Sequence, residues 1–378
     1  MRSASHYRML VLARFLALFL VIATSNSRPL TAYGREEEHV SSSNHAVTIS
    51  VLGLFHPQEF IVSAPDGHAL VLQAADHSMV LESSQVSAAN VRIDASGLIV
   101  ASAGQAFRAS TVNVVGRVNQ SEDFILEVPD RIRRRYHGTL AIRPSAGSLL
   151  AVVTLDLETA VASVVAAESA PDTAIEAIKA YAVAARSYFV AGRGRHRSFD
   201  FCDTTHCQFL RTAPPATGNV AHAVEATRGL VLAYQSRPFA AMYTRSCSGR
   251  TRTPAELGLP AAAYPYYSVV CDHCRQHPVR WISHLSVHEA ASLRPQDENN
   301  RLAVAKRLGW SAVPSNDFSL ARNGDHILLN GVGNGHGIGL CQAGAKAMAE
   351  SGAGFQEILK HYYPNADIVE FSKATLID

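Results

Sequence analysis

The chain has little charge for its length. Of its 378 residues 17% are Asp, Glu, Lys or Arg, and the formal net charge is only +2. That balance gives no electrostatic argument for nucleic acid or an anionic membrane surface as partner. Several catalytic signatures are also missing from the sequence. Without a G-x-S-x-G elbow, serine hydrolysis on that framework has no support. Without H-E-x-x-H, a zincin has little support, and no glycine-rich loop leads into a lysine that would cradle phosphates. No internal repeat is visible, which argues against a solenoid or blade array.

What is present is 47% hydrophobic, enough for one large or two ordinary globular domains. Met1–Ala23 places Arg2, Arg8 and Arg14 ahead of a short apolar run from Phe15 to Ala23, with Thr24 and Ser25 behind it. This is the layout of a secretory signal, or of an N-terminal anchor if it is not cleaved. Residues 1–25 are therefore read as an export segment and 26–45, rich in Glu and Ser, as a linker. The expected location is the periplasm, cell envelope or extracellular space. No cysteine lies near residue 25, which argues against a lipoprotein anchor.

From 46 to about 145 the chain alternates short apolar runs with Gly, Asn, Asp and Pro. Strands are expected at 47–55, 69–73, 91–93, 98–101, 112–118 and 124–128. The basic run Arg131–Leu140 reads as a solvated strand face. Residues 146–370 are mixed. An apolar run at 149–155 precedes a helix over 156–168, with Asp156 as N-cap and Leu157, Val161, Val164 and Val165 on one stripe. A second helix is expected over 173–191, with a Thr173/Glu176 capping box and Gly192 as left-handed stop. Beyond it, 223–227, 229–234 and 238–243 look strand-like, 281–285 and 326–329 extended, and 287–293, 300–308, 343–351 and 355–362 helical. The fold class is α+β: a β-rich N-terminal region followed by a mixed α/β domain.

Two features carry chemistry. Glu168 falls at the end of the first helix, where the C-terminal partial negative charge disfavours ionisation and suits a general acid. It reads otherwise as a solvated surface glutamate. His196, Cys202, His206 and Cys207 supply two imidazoles and two thiolates, a closed tetrahedral set for structural zinc. In an exported protein a Cys202–Cys207 disulfide explains the same pair equally well. Cys271 and Cys274 could complete a four-cysteine site, or either could pair with Cys247. His336, between glycines, is either a ligand-facing residue or a turn histidine.

Taken in order, R-R-Y-H-G-T-L (134–140), V-V-A-A-E-S-A-P (164–171), E-A-I-K-A-Y-A-V-A-A-R-S-Y (176–188), C-D-T-T-H-C-Q (202–208), C-S-G-R-T (247–251), G-H-G-I-G-L-C-Q-A-G-A-K-A-M-A (335–349) and H-Y-Y-P (361–364) resemble the SpoIID/LytB family of bacterial cell-wall proteins. The resemblance implies a catalytic domain with a substrate cleft. It further implies a lytic transglycosylase that cleaves the MurNAc–GlcNAc bonds of peptidoglycan glycan strands, preferably denuded ones, as sporulation members do. The alternative it implies is a non-catalytic enhancer working with a partner cell-wall amidase. It maps the catalytic glutamate onto Glu168, in the V-x-x-E-x-x-P context, and a zinc set onto His196, Cys202, His206 and Cys207. The cleft lining falls on His336, Gln342 and the Ser246–Thr251 turn, with Ser246, Gly249 and Thr251 as substrate contacts. Arg186 and Tyr188 are further candidates for sugar contact, although Arg186 also reads as a salt-bridge partner on a helix surface. Glu158, Asp172 and Asp203 are the candidate second carboxylates for a hydrolytic variant. This chain carries Arg245 where a serine is common in the family.

Overall fold

The computed structural model describes residues 46–373 except 83, 85, 119, 205 and 209. The export segment and linker expected before residue 46 lie outside the described residues. Among those described, no helix is long and apolar enough to cross a membrane.

Eleven strands between residues 46 and 156, and a short twelfth at Phe201–Cys202, curl into one largely antiparallel sheet. Its organising member is the long strand Ile132–Ser145. The first half, 132–138, pairs antiparallel with 122–128, and the second half, 139–145, pairs with 148–154. The changeover falls at Gly138, with φ +138°, where a Cβ would stand 2.4 Å from the Thr154 carbonyl oxygen. Only glycine accommodates both the backbone conformation and that approach. This explains the glycine inside the R-R-Y-H-G-T-L run. The solvated reading of this run holds for Arg135, paired to Asp123, and Arg133, paired to Glu127, whereas Arg134 turns inward to the buried Asp203. Between residues 46 and 156 three strands escaped sequence reading: Glu59–Ser63, Ser78–Glu82 and Gln105–Ala109. Each is a five-residue segment without a long apolar run. The 132–145/148–156 hairpin crosses residue 145, so the β-rich region and the mixed region share one sheet and one core.

The first strand, Ala46–Val51, lies between 148–156 and, in parallel, Phe201–Cys202. The parallel register is fixed from the side, because the Asp200 carboxylate accepts from the Thr48 N–H (3.0 Å) and hydroxyl (2.8 Å).

Against the sheet pack α1 (Leu157–Glu168) and α2 (Ile175–Ala191). Asp156 caps α1 as expected, accepting from the N–H groups of Glu158 and Thr159. The stripe Leu157, Val161, Val164 and Val165 is 4% exposed or less. Helix α2 starts at Ile175, and the Thr173/Glu176 capping box does not form. Thr173 is buried instead, and Glu176 turns outward to Lys179 and to the N–H of Phe355. Nor is Gly192 left-handed, since its φ is −103°. A glycine stands there because a Cβ would lie 2.7 Å from the Tyr188 carbonyl oxygen and 3.2 Å from Phe201. Every residue from Ala180 to Val190 is buried. A helix apolar on all sides belongs in the core, and the alanines let neighbours approach it closely.

Those neighbours include α3 (Asn219–Ala226), the strand Leu230–Tyr234, and, after the short α4 (Asp272–Gln276) and α5 (Glu298–Leu308), the helices α6 (Gln342–Glu350) and α7 (Phe355–Tyr362). Residues 223–227, expected to be extended, form the end of α3 and its cap, and 287–293 form turns rather than a helix. A three-stranded sheet, 280–286, 326–332 and 317–323, holds a separate small core with Leu293, Val304 and Phe318. The outcome is a mixed α/β architecture with a large curled sheet and, among the described residues, seven helices.

Candidate functional site

The capped, core-facing α1 fixes its own phase, and its last turn brings Glu168 to a half-buried position. Loss of water around the carboxyl pushes its pKa above the ordinary 4.5. Three groups pull the other way: the Arg245 charge, then the Gln342 side-chain amide, then the Arg211 charge. Gln342 is 6% exposed, and its Nε2 faces the carboxyl without closing a hydrogen bond of ordinary geometry to any described residue. The hydroxyl of Ser169, next in the chain, is also buried, with no partner among the described residues. The Tyr243 hydroxyl is held protonated, by desolvation first and then by the nearby Glu168 charge.

Gln342 is set from two sides. Tyr181 of α2 donates its hydroxyl to the Gln342 carbonyl at 2.7 Å, and the Ala343 N–H donates to the Arg245 carbonyl at 3.1 Å. A short parallel pairing, Tyr243 with Leu340 and Thr244 with Cys341, aligns the segment carrying Arg245 with the one carrying Gln342. The H-Y-Y-P run lies beneath them, with Tyr363 donating to the Met242 carbonyl at 2.7 Å and accepting the Leu340 N–H at 3.3 Å. Motifs more than a hundred residues apart thus meet at Glu168.

Other candidates fall elsewhere. Arg186 is fully buried and is bonded by Glu158 through Nε (2.8 Å) and Nη2 (2.6 Å), with further bonds to the carbonyls of Leu230 and Val224. This corrects the expectation of sugar contact, because every end of the guanidinium is spent inside the core. The surface salt-bridge reading fails too, since the ion pair is internal. Tyr188 is 8% exposed, packs at a tilt against Phe201 and accepts a hydrogen bond from Arg195 at its hydroxyl, so it walls the His/Cys lobe. Thr251 is fully buried, donating to the Tyr267 carbonyl (3.0 Å) and accepting the Val269 N–H (2.9 Å), which leaves no polar atom for a ligand. Ser246 is buried against Cys274, and the Gly249 carbonyl accepts the Cys271 N–H, so this turn is framework beside the Glu168 corner.

His336 lines a small concavity with Ser246 and Gly337. Its Nδ1 accepts the Ile338 N–H at 3.0 Å, and desolvation pushes the imidazole below its usual pKa, so it is neutral near pH 7. A larger concavity is lined by Tyr136, His137 and Thr212 among others. Glu168 lines neither of these two concavities.

Among the candidate second carboxylates, Glu158 is locked to Arg186 and Asp172 pairs with Lys346 at the surface. Asp203 is buried, bonded by Arg134 at 3.1 Å, and shares the field of Arg211 with Glu168. Desolvation holds its carboxyl above the ordinary value.

The His/Cys set converges. One donor atom from each of His196, Cys202, His206 and Cys207 lies within 4.8 Å of all the others. His196 Nε2 and His206 Nδ1 each stand 3.4 Å from Cys207 Sγ, and His206 Nδ1 is 3.9 Å from Cys202 Sγ. Two nitrogens and two sulfurs at these separations fit a tetrahedral zinc ion.

A mixed α/β protein thus carries a partly desolvated carboxyl at a helix end, bordered by an arginine and a buried glutamine amide. Residues 145–234, which span α1, α2 and the His/Cys lobe, match the family model described as SpoIID, stage II sporulation protein. An uncharacterized protein of Brachyspira hyodysenteriae is 29% identical over 275 residues, covering 63% of this chain and 73% of its own length. Stage II sporulation protein D of Bacillus amyloliquefaciens is 27% identical over 266 residues, 58% of this chain and 76% of its own. The amidase enhancer of Bacillus subtilis is 36% identical over 64 residues, 17% of this chain and 9% of its own length. The SpoIID match over residues 145–234 and the similarity to stage II sporulation protein D and to an amidase enhancer support a place in the SpoIID/LytB family.

Arg245, Arg211, Tyr243 and Tyr181 were not singled out as site residues from sequence. Arg245 carried the one usable signal, an unusual residue immediately before the Ser246–Thr251 turn.

Proposed function

We propose that this protein acts on the bacterial cell wall as a peptidoglycan lytic transglycosylase, with Glu168 as both general acid and general base. The family and the names of its relatives support the cell-wall role. The observation that carries the chemical reading is the Glu168 carboxyl, pushed toward its protonated form by desolvation beside the buried Gln342 amide.

Protonated Glu168 donates its proton to the oxygen joining N-acetylmuramic acid to N-acetylglucosamine. The glycosidic bond breaks, and positive charge develops on the muramoyl ring. The 6-hydroxyl of that sugar then attacks its own anomeric carbon while the Glu168 carboxylate takes the hydroxyl proton. The products are a 1,6-anhydro end and a free 4-hydroxyl, and no water is consumed. Ordinary glycosidases need a second carboxylate to activate water or form a covalent intermediate, whereas this route needs only one. Arg245 and Arg211 limit how far the Glu168 pKa rises, so the same group can return to its carboxylate. Zinc at His196, Cys202, His206 and Cys207 would be structural, since the four ligands leave no open position.

Mass spectrometry of naked glycan strands and muropeptides after incubation with the protein tests this reading. Anhydro-muramic ends are expected. Reducing ends would overturn it in favour of hydrolysis, with Asp203 as the second carboxylate to examine. Strand binding without cleavage, together with stimulation of a wall amidase, would establish the enhancer role that the Bacillus subtilis relative's name describes.

A further inference from the structure

The four cysteines outside the His/Cys lobe come together from three segments. Cys247 sits in the turn after Arg245, Cys271 and Cys274 begin α4, and Cys341 immediately precedes α6. All four are 2% exposed or less, and all four sulfurs lie within 4.8 Å of one another. We propose that Cys247, Cys271, Cys274 and Cys341 bind a single zinc ion as a tetrathiolate centre, separate from the His/Cys set.

Three observations favour this ion. The first is distance: tetrahedral Zn–S bonds of about 2.3 Å place ligand sulfurs about 3.8 Å apart, and Cys274 and Cys341 stand at 3.5 Å. A four-iron cluster separates its cysteines by the width of the cluster and does not fit this spacing. The second is convergence, since two disulfides join sulfurs only in pairs and give no reason for four to share one centre. The third is the outer shell. The Cys247 N–H donates to Cys341 Sγ at 3.3 Å, the Tyr362 hydroxyl donates to Cys271 Sγ at 3.5 Å, and Ser246 Oγ lies 3.4 Å from Cys274 Sγ. Donors aimed at sulfur stabilise metal-bound thiolates and orient them.

The position gives the centre a task. Cys247 is two residues after Arg245, and Cys341 is the residue before Gln342. One ion therefore ties together the two segments that carry the groups facing Glu168, with α4 as the third anchor. This consequence rests on the proposed role of Glu168, whereas the metal site does not.

The test uses the whole protein purified without chelator or added metal. Elemental analysis is expected to find about two zinc ions per chain. The X-ray absorption first shell should average about three sulfurs to one nitrogen, the sum of an all-sulfur and a mixed site. The Cys202→Ser variant should retain about one zinc with an all-sulfur shell at about 2.3 Å. If that variant does not fold, the wild-type shell still decides, because a lone His/Cys site gives equal sulfur and nitrogen. A wild-type protein with a single zinc and an all-sulfur shell also supports the centre. Equal sulfur and nitrogen, or non-reducing peptide maps joining any of the four cysteines in a disulfide, would overturn it. None of these readouts depends on glycan cleavage, so the metal centre and the lytic reaction stand or fall separately.

Discussion

The hydroxyl of Tyr181, in the middle of the buried helix α2, donates at 2.7 Å to the backbone carbonyl of Gln342, the residue whose side-chain amide faces Glu168. This bond connects the rigid centre of the molecule to one wall of the site. Tyr181→Phe leaves the ring in place and removes only the donor. The Gln342 carbonyl, first in α6, keeps its helical partner, so the lost bond should cost about 0.5–1.5 kcal/mol of stability, measurable by denaturant unfolding. Strand cleavage should fall more than this stability loss explains, because Gln342 is no longer pinned. Unchanged cleavage would show that Gln342 is positioned by its helix alone.

Glu168→Gln removes the proton donor while keeping the side chain's shape. Release of anhydro-muramic ends should drop by about 100-fold to 10,000-fold, with the circular dichroism spectrum unchanged. Retention of full activity would remove Glu168 from the chemistry and favour the enhancer role.

The pH dependence has a definite sign. The folded-state pKa of Glu168 is raised, so the folded protein holds a proton that the unfolded chain releases near the ordinary value of 4.5. Stability from this group is therefore fully present below that value and is lost as pH rises from there through the folded pKa. Glu168→Gln lacks this titration, so at neutral pH it should melt no lower than wild type, and its relative stability should increase as pH rises across that window. Cleavage, which needs the protonated acid, should fall over the same rise.

Arg245→Ala tests the cation nearest in influence. Its charge favours the carboxylate, so removing it should raise the Glu168 pKa further and move the high-pH limb of the rate profile upward. Because Arg245 is exposed, the wild-type profile should also shift upward at high salt, where its charge is screened. An unmoved limb would mean that Arg245 and Glu168 do not share a field.

Arg186 is fully buried, and its partner Glu158 keeps only 13% of its side chain exposed. Glu158→Gln strands the guanidinium charge in the core and should cost about 3–5 kcal/mol, read as a large fall in melting temperature. A shift close to zero would show that the carbonyls of Leu230 and Val224 suffice to hold Arg186.

Local rules determined a good deal from sequence alone. The Asp156 cap and the stripe Leu157, Val161, Val164 and Val165 specify α1, and α1 alone puts Glu168 at a helix end. His196, Cys202, His206 and Cys207 are close enough in sequence for spacing to suggest their convergence. The failures have physical causes. The Thr173/Glu176 box lost to burial of Thr173 and to the bond from Glu176 to the Phe355 N–H, which no local pattern encodes. Arg186 looked like a surface residue because its partner Glu158 lies on another helix.

What only the tertiary structure decided is everything built from distant segments. Gln342 and Arg245 reach Glu168 through a two-residue strand pairing and a tyrosine hydroxyl in the core. Cys247 and Cys341 meet Cys271 and Cys274 because α4 and α6 pack together. Periodicity and capping act over a few residues, so a sequence specifies its elements locally. The field around one carboxyl, and the partners of four cysteines, depend on which elements pack in contact, and that is fixed only when the whole core closes.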